Sequence, residues 1–186
     1  MVMNLGGQQL KNKQYKFIGC CGMSCVLCPR FHSQSASKCP GCGLSSNRES
    51  CATYQCCAEN HHYETCADCA ISPCERLFIQ ADWVGFNTRK KWLDNLNRIK
   101  DNGIEKWYAE QMEKGSLLEE ALQYFHNKQM RSFFCLSFLY FEIDTIKKLI
   151  AAAKADKTLD LQKRADSFRE AVKTEALQHN LKVWNK

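Results

Sequence analysis

The sequence has no apolar run long enough to cross a bilayer. Its longest near-apolar stretch, "FFCLSFLYF" (133–141), is about half of what a spanning helix needs and includes Ser137. It reads as a buried helix. The opening "MVMNLGGQQLKNKQYKF" lacks the apolar core of a secretory signal, and residues 1–16 read as a flexible polar lead-in. The expected location is cytoplasmic, where thiols stay reduced. Catalytic signatures are missing too: there is no Walker loop, no G-x-G-x-x-G, no H-E-x-x-H and no G-x-S-x-G. Asp101, Glu105, Glu119 and Glu120 read as solvated helix faces, so the sequence leans away from an enzyme.

Strong positive charge is also lacking once the thiols are considered. The formal charge of +6 treats every cysteine as neutral, whereas a metal-bound cysteine is a thiolate. Two zinc ions with four thiolates each would lower the chain to about +2, and residues 1–76 from +2 to about −2. A finger that grips phosphate should be strongly positive. Trp83, Trp92, Trp107 and Tyr108 lack the interleaved Lys and Arg of a nucleic-acid groove and suit core roles better. Nucleic acid is therefore a disfavoured partner, and a membrane is not expected as one.

Aliphatic side chains are scarce between Cys20 and Cys74, but cysteine is not. Twelve of the thirteen cysteines lie there, with Cys135 alone outside. A segment so poor in apolar surface cannot offset its ordering entropy unaided. Covalent or coordinate links must hold it, and a reducing compartment favours metal over disulfides. Residues 17–76 are thus expected to form an irregular metal-stapled module. Residues 77–186 are expected to form an α-helical region packed on it.

Three tight pairs carry the metal signal: Cys25 with Cys28, Cys39 with Cys42, and Cys66 with Cys69. A two-residue gap lets both sulfurs of a turn face one ion, and zinc takes four such ligands in a tetrahedron. In "CPGCG" (39–43), Pro40 fixes one backbone angle while Gly41 and Gly43 permit a tight turn. The first two pairs can close one four-cysteine site. Cys51, Cys56, Cys66 and Cys69 can close another, with Cys74 and Cys21 as competing ligands. Two zinc ions in closed, structural sites are expected. The spacing C-x3-C-x2-C of Cys21, Cys25 and Cys28 is a weak iron–sulfur motif by itself, but four-cysteine ligation serves a [4Fe–4S] cluster as well as zinc, which keeps that cluster as the alternative.

His61, His62 and His32 can replace a sulfur ligand but read more naturally as solvated loop residues. His126 and His179 read as helical surface residues. Cys20 and Cys57 each adjoin another cysteine and read as spare thiols, with a nucleophilic thiolate near His61 as a lesser idea. Cys135 reads as core packing.

The order "CCGMSCVLCP", "CPGC", Cys51-x4-Cys56 and "YETCADCAISPCERL" resembles the cysteine-rich prokaryotic family DUF3795, as does "NLNRIKDNGIEKWYAEQ" (95–111). The resemblance covers roughly residues 17–112. It implies zinc binding without an assigned activity. It maps Cys21, Cys25, Cys28, Cys39, Cys42, Cys51, Cys56, Cys66, Cys69 and Cys74 as the patterned cysteines, leaving Cys20, Cys57 and Cys135 outside. Ten ligands do not divide into fours, and the pairing stays open.

Beyond Pro73 the periodicity becomes helical, and a mainly α fold with about five helices is expected. Trp92, Leu93, Leu96 and Ile99 mark a helix ending near Asn102-Gly103. Ile104, Trp107, Tyr108 and Met112 mark a second, closed by Gly115. The S-x-x-E box of Ser116 and Glu119 opens a third, with Leu117, Leu118, Ala121, Leu122 and Phe125 following. A fourth runs from about Met130 to Ala155. A fifth carries Leu161, Ala165, Phe168, Val172, Ala176 and Leu177. The expected whole is a zinc-binding protein of unknown activity that presents a surface to a protein partner. An iron–sulfur redox protein is the first alternative, and a nucleic-acid finger the second.

Overall fold

The computed structural model describes residues 13–44, 51–78, 89–125, 130–155 and 160–179. Most of the lead-in, Trp83 and His126 lie outside these residues. The protein is mainly helical, with a cysteine-rich N-terminal region and a helical array after it. By its contacts the chain divides into two units. One joins Met1–Met23 to Gly41–Gly103, and the other joins Ser24–Pro40 to Ile104–Lys186. The cysteine-rich stretch contributes to both.

Among the described residues of the first unit the longest element is helix α1 (Arg89–Asn102). Trp92, Leu96 and Ile99 are buried, as the three-and-four spacing requires, together with Asn95. Asn95 Nδ2 donates to the Gly22 carbonyl at 3.0 Å, which ties α1 to the turn carrying Cys20 and Cys21. Gly22 has φ +81°, and a Cβ there would stand 3.0 Å from the Trp92 carbonyl oxygen. Only glycine fits that turn against α1. The helix ends at Gly103, φ +84°, whose N–H returns to the Ile99 carbonyl at 2.9 Å.

The second unit contains helices α2 (Ile104–Phe125), α3 (Arg131–Tyr140), α4 (Ile143–Ala155) and α5 (Leu161–Gln178). The expected stop at Gly115 does not occur. Trp107, Gln111, Lys114, Gly115, Leu118, Ala121 and Phe125 are buried along one unbroken stripe, and Ser116 sits exposed in mid-helix. Gly115 is a point of close approach: a Cβ there would meet Val26 Cβ at 2.8 Å. The fourth expected helix is instead two. Phe141 adopts φ −76°, ψ 148° at the end of α3 and is fully buried, and the Glu142 carbonyl accepts from Ile146 N–H as α4 begins. Helical geometry yields there to burial of the ring.

Phe125 stacks on Phe168 at 4.4 Å between centroids, and Phe134 meets Phe168 edge-on at 5.2 Å. With Phe138, Phe141, Ile146 and Val172 they form the core of this unit. Leu177, expected on the apolar stripe of α5, is instead 65% exposed, and Ala176 takes the inner position. The apolar run 133–141 is α3 with its end. No helix among the described residues is long and apolar enough to cross a membrane.

Candidate metal centre

Two of the three C-x2-C pairs fold alike. Cys25–Leu27 and Cys66–Asp68 are single 3-10 turns. In each, the second cysteine donates its N–H to the carbonyl of the first, Cys28 to Cys25 at 2.9 Å and Cys69 to Cys66 at 3.3 Å. The second cysteine then turns extended, at φ −93°, ψ 130° for Cys28 and φ −88°, ψ 126° for Cys69. Side chains three apart on such a turn eclipse one another, so the two positions of each pair share one side. The Cys66 turn is fixed by a capping box: Thr65 Oγ1 accepts from Ala67 N–H at 3.2 Å, and Asp68 Oδ2 accepts from Thr65 N–H at 3.0 Å.

The third pair is built differently. Cys39 belongs to the second unit and Cys42 to the first. Gly41 has φ +110°, as the expected tight turn requires. Gly43 N–H, however, donates to the Lys16 carbonyl at 3.0 Å, and a Cβ on Gly43 would stand 2.7 Å from that oxygen. Gly43 serves a close backbone approach.

The first unit gathers sulfur into its core. Cys20, Cys57 and Cys66 are buried with Tyr54, Leu77 and Leu96, while Cys21, Cys51 and Cys74 pack against them. Cys56 and Cys69 are half-buried and are not members of that cluster. The Cys57 thiol has a single proton, which it gives to the Tyr63 carbonyl at 3.6 Å or to the Cys20 or the Cys66 sulfur. Cys57 reaches this place from a π-helix, Gln55–Asn60, in which His61 N–H bonds back to the Cys56 carbonyl at 3.2 Å. Cys66 N–H donates to the Cys20 carbonyl at 2.8 Å, joining the outer members through their backbones.

These contacts polarise the thiols. The hydrogen bond from Cys57 brings Cys20 down to about 7, aided by the Lys13 ammonium and opposed by burial. Lys13 is itself buried, with Nζ 3.6 Å from Cys20 Sγ and donating to the Glu64 carbonyl. Cys66 is lowered for the same first reason, its hydrogen bond with Cys57. Cys57 is pushed far up by those bonds and keeps its proton. Burial raises Cys21, and the neighbouring Cys42 and Cys51 raise it further. A Cβ on Gly19 would lie 3.3 Å from Cys21 Sγ and 3.5 Å from Cys42 Sγ, so both sulfurs flank one backbone position.

Of the second expected quartet, Cys51 and Cys66 therefore join one sulfur-rich core. Cys20 and Cys57, taken as spare thiols in the sequence, sit at its centre. Adjacent cysteines cannot easily share one ion, but nothing in that rule keeps each from joining different sulfurs. The π-turn that points Cys57 inward has no signature in the spacing. His61 and His62 are exposed, with His61 stacked on Tyr63 at 5.6 Å. His32 is engaged with the Val26 carbonyl at 2.6 Å. Cys135 is enclosed in α3, and burial lifts its thiol to about 12.

The donor chemistry suits zinc or iron, since all thirteen cysteines are free thiols. The geometry stops short of a finished cage. Among the described residues, no three His, Cys, Asp or Glu side chains form a group that could hold an ion. No family model, curated protein or solved structure matches the chain.

Proposed function

We propose that this is a metal-binding protein whose thiolates hold zinc in structural sites. The observation that carries the reading is the matched construction of the Cys25–Cys28 and Cys66–Cys69 turns, each with its two sulfur-bearing positions on one side. The sulfur-rich core of the first unit supports it. So does the low content of other apolar side chains there, which leaves coordination as the source of stability. Ligands are drawn first from these pairs, Cys25 with Cys28 and Cys66 with Cys69. Their thiols must lose protons and close inward as an ion enters, so metal binding and final folding are one event. The ten patterned cysteines and the resemblance to DUF3795 point the same way. The role that follows is to present a surface to a protein partner in a reducing compartment such as the cytoplasm.

The test is the visible spectrum of protein purified anaerobically without added metal. Colourless protein carrying zinc is expected. A brown protein with iron and sulfide would replace this reading with the iron–sulfur one.

A further inference from the structure

A second cluster of polar groups, independent of the thiols, lies wholly within the second unit. Pro29, Arg30, Ser33, Ser35, Ser37 and Arg131 line one cleft. The three serines form a ladder: Ser33 Oγ to Ser35 Oγ is 2.9 Å, and Ser35 Oγ to Ser37 Oγ is 3.0 Å. Three hydroxyls bring three protons, and two internal bonds use two of them. One O–H donor therefore remains for another acceptor. Arg131 Nε is buried and has no hydrogen-bond partner. Arg131 as a whole is half-buried, and a guanidinium donor left unpaired is costly. Arg131 also begins α3, whose N-cap, Met130, supplies no capping side chain, so the first N–H groups of that helix add positive potential.

Among the described residues no carboxylate lines the cleft, and the chain carries no Asp or Glu before Glu49. Two guanidinium groups, a hydroxyl donor and a helix N-terminus around one opening form a donor set for a small tetrahedral oxyanion. From this we propose that the cleft binds a phosphate-class oxyanion through Arg30, Arg131 and the serine ladder. Arg131, half-buried, supplies guanidinium donors, and Arg30, exposed at the rim, supplies charge. Free phosphate and a phosphomonoester group present the same oxygens, and the cleft's openness to solvent at Ser35 and Ser37 allows either.

The experiment follows the Arg131 Nε–H resonance and the backbone amides of residues 33–37 in the full metal-loaded chain as inorganic phosphate is added. Sodium chloride at matched ionic strength is the control. A saturable shift with phosphate and none with chloride is expected. Removing one charged hydrogen bond should weaken binding about tenfold to a hundredfold, so Arg131→Met should raise the apparent Kd by that order, and Arg30→Met, which removes a rim charge, by about twofold to fivefold. Arg30→Met keeps the test decisive should Arg131→Met misfold, because Arg30 is exposed. Repeating the titration with a nucleoside monophosphate shows whether an ester group adds affinity. Equal shifts with chloride, no saturation, or unchanged affinity in Arg30→Met would overturn the proposal.

Discussion

Replacing Gly115 with alanine separates two roles for this residue by the sign of a stability change. As an ordinary mid-helix glycine, its replacement should stabilise α2 by about 1 kcal/mol. In the structure the added Cβ meets Val26 Cβ at 2.8 Å and Cγ2 at 3.0 Å. Val26 is buried on a turn that cannot swing aside like a long side chain. Overpacking of this kind costs about 1–3 kcal/mol, so the net expectation is a loss of about 1 kcal/mol. Val26→Ala alone should cost about 2 kcal/mol for lost burial and the space left behind. In the double variant the Cγ2 contact at 3.0 Å is gone while the Cβ contact at 2.8 Å stays, so about half of the clash is relieved and the total loss is about 2 kcal/mol rather than about 3. The coupling of about 1 kcal/mol is read from urea unfolding of the four proteins, followed by far-UV circular dichroism at matched m-values. A Gly115→Ala protein more stable than its parent, or four stabilities that add within about 0.5 kcal/mol, would refute the close approach of the Cys25 turn to α2.

Three further outcomes follow from named contacts. Gly43→Ala would set a Cβ 2.7 Å from the Lys16 carbonyl oxygen, so a loss of about 2–3 kcal/mol and lower metal content are expected, checked by urea unfolding and elemental analysis. A fully stable, fully loaded variant would contradict it. Asn95→Ala removes the buried donor to the Gly22 carbonyl and should cost about 1–3 kcal/mol, with faster amide hydrogen exchange at residues 19–22 as its signature. Cys135 is fully enclosed and its thiol is lifted to about 12, so iodoacetamide at pH 8 should leave it unlabelled in the native protein. Because its folded pKa is raised above the ordinary thiol value of 9.0, the stability it contributes is complete below pH 9.0 and is lost as pH rises toward about 12. Cys135→Ala should flatten that part of the pH–stability curve, and an unchanged slope would count against the burial of the thiol.

The helices were legible where an apolar stripe is long and its ends are local. Trp92, Leu96 and Ile99 mark α1, and Gly103 stops it by the left-handed turn that glycine favours. Gly115 misleads because its reason is tertiary: the residue it makes room for is Val26, far away in sequence. The break at Phe141 misleads for a related reason, since burial of one ring outweighs continuing a helix that periodicity alone would extend. Among the cysteines, the three-residue step of Cys25 to Cys28 and of Cys66 to Cys69 matches one 3-10 turn, so those pairs could be read from spacing. The grouping of Cys20 with Cys57 and Cys66 could not. It depends on a π-helix and on a backbone bond between residues 20 and 66, neither of which leaves a mark in composition. The oxyanion cleft was hidden in the same way, because Arg131 stands far along the chain from Arg30 and the serines.

The claim on which the rest depends is that sulfur holds an ion and the ion holds residues 17–76. Native mass spectrometry of anaerobically purified protein, before and after a strong chelator, with amide NMR on both samples, tests it most directly. The account predicts bound zinc in the first sample, and in the second its loss together with collapse of amide dispersion in that segment while α2 to α5 persist. An ion-free protein with unchanged dispersion and unchanged protease resistance would contradict it.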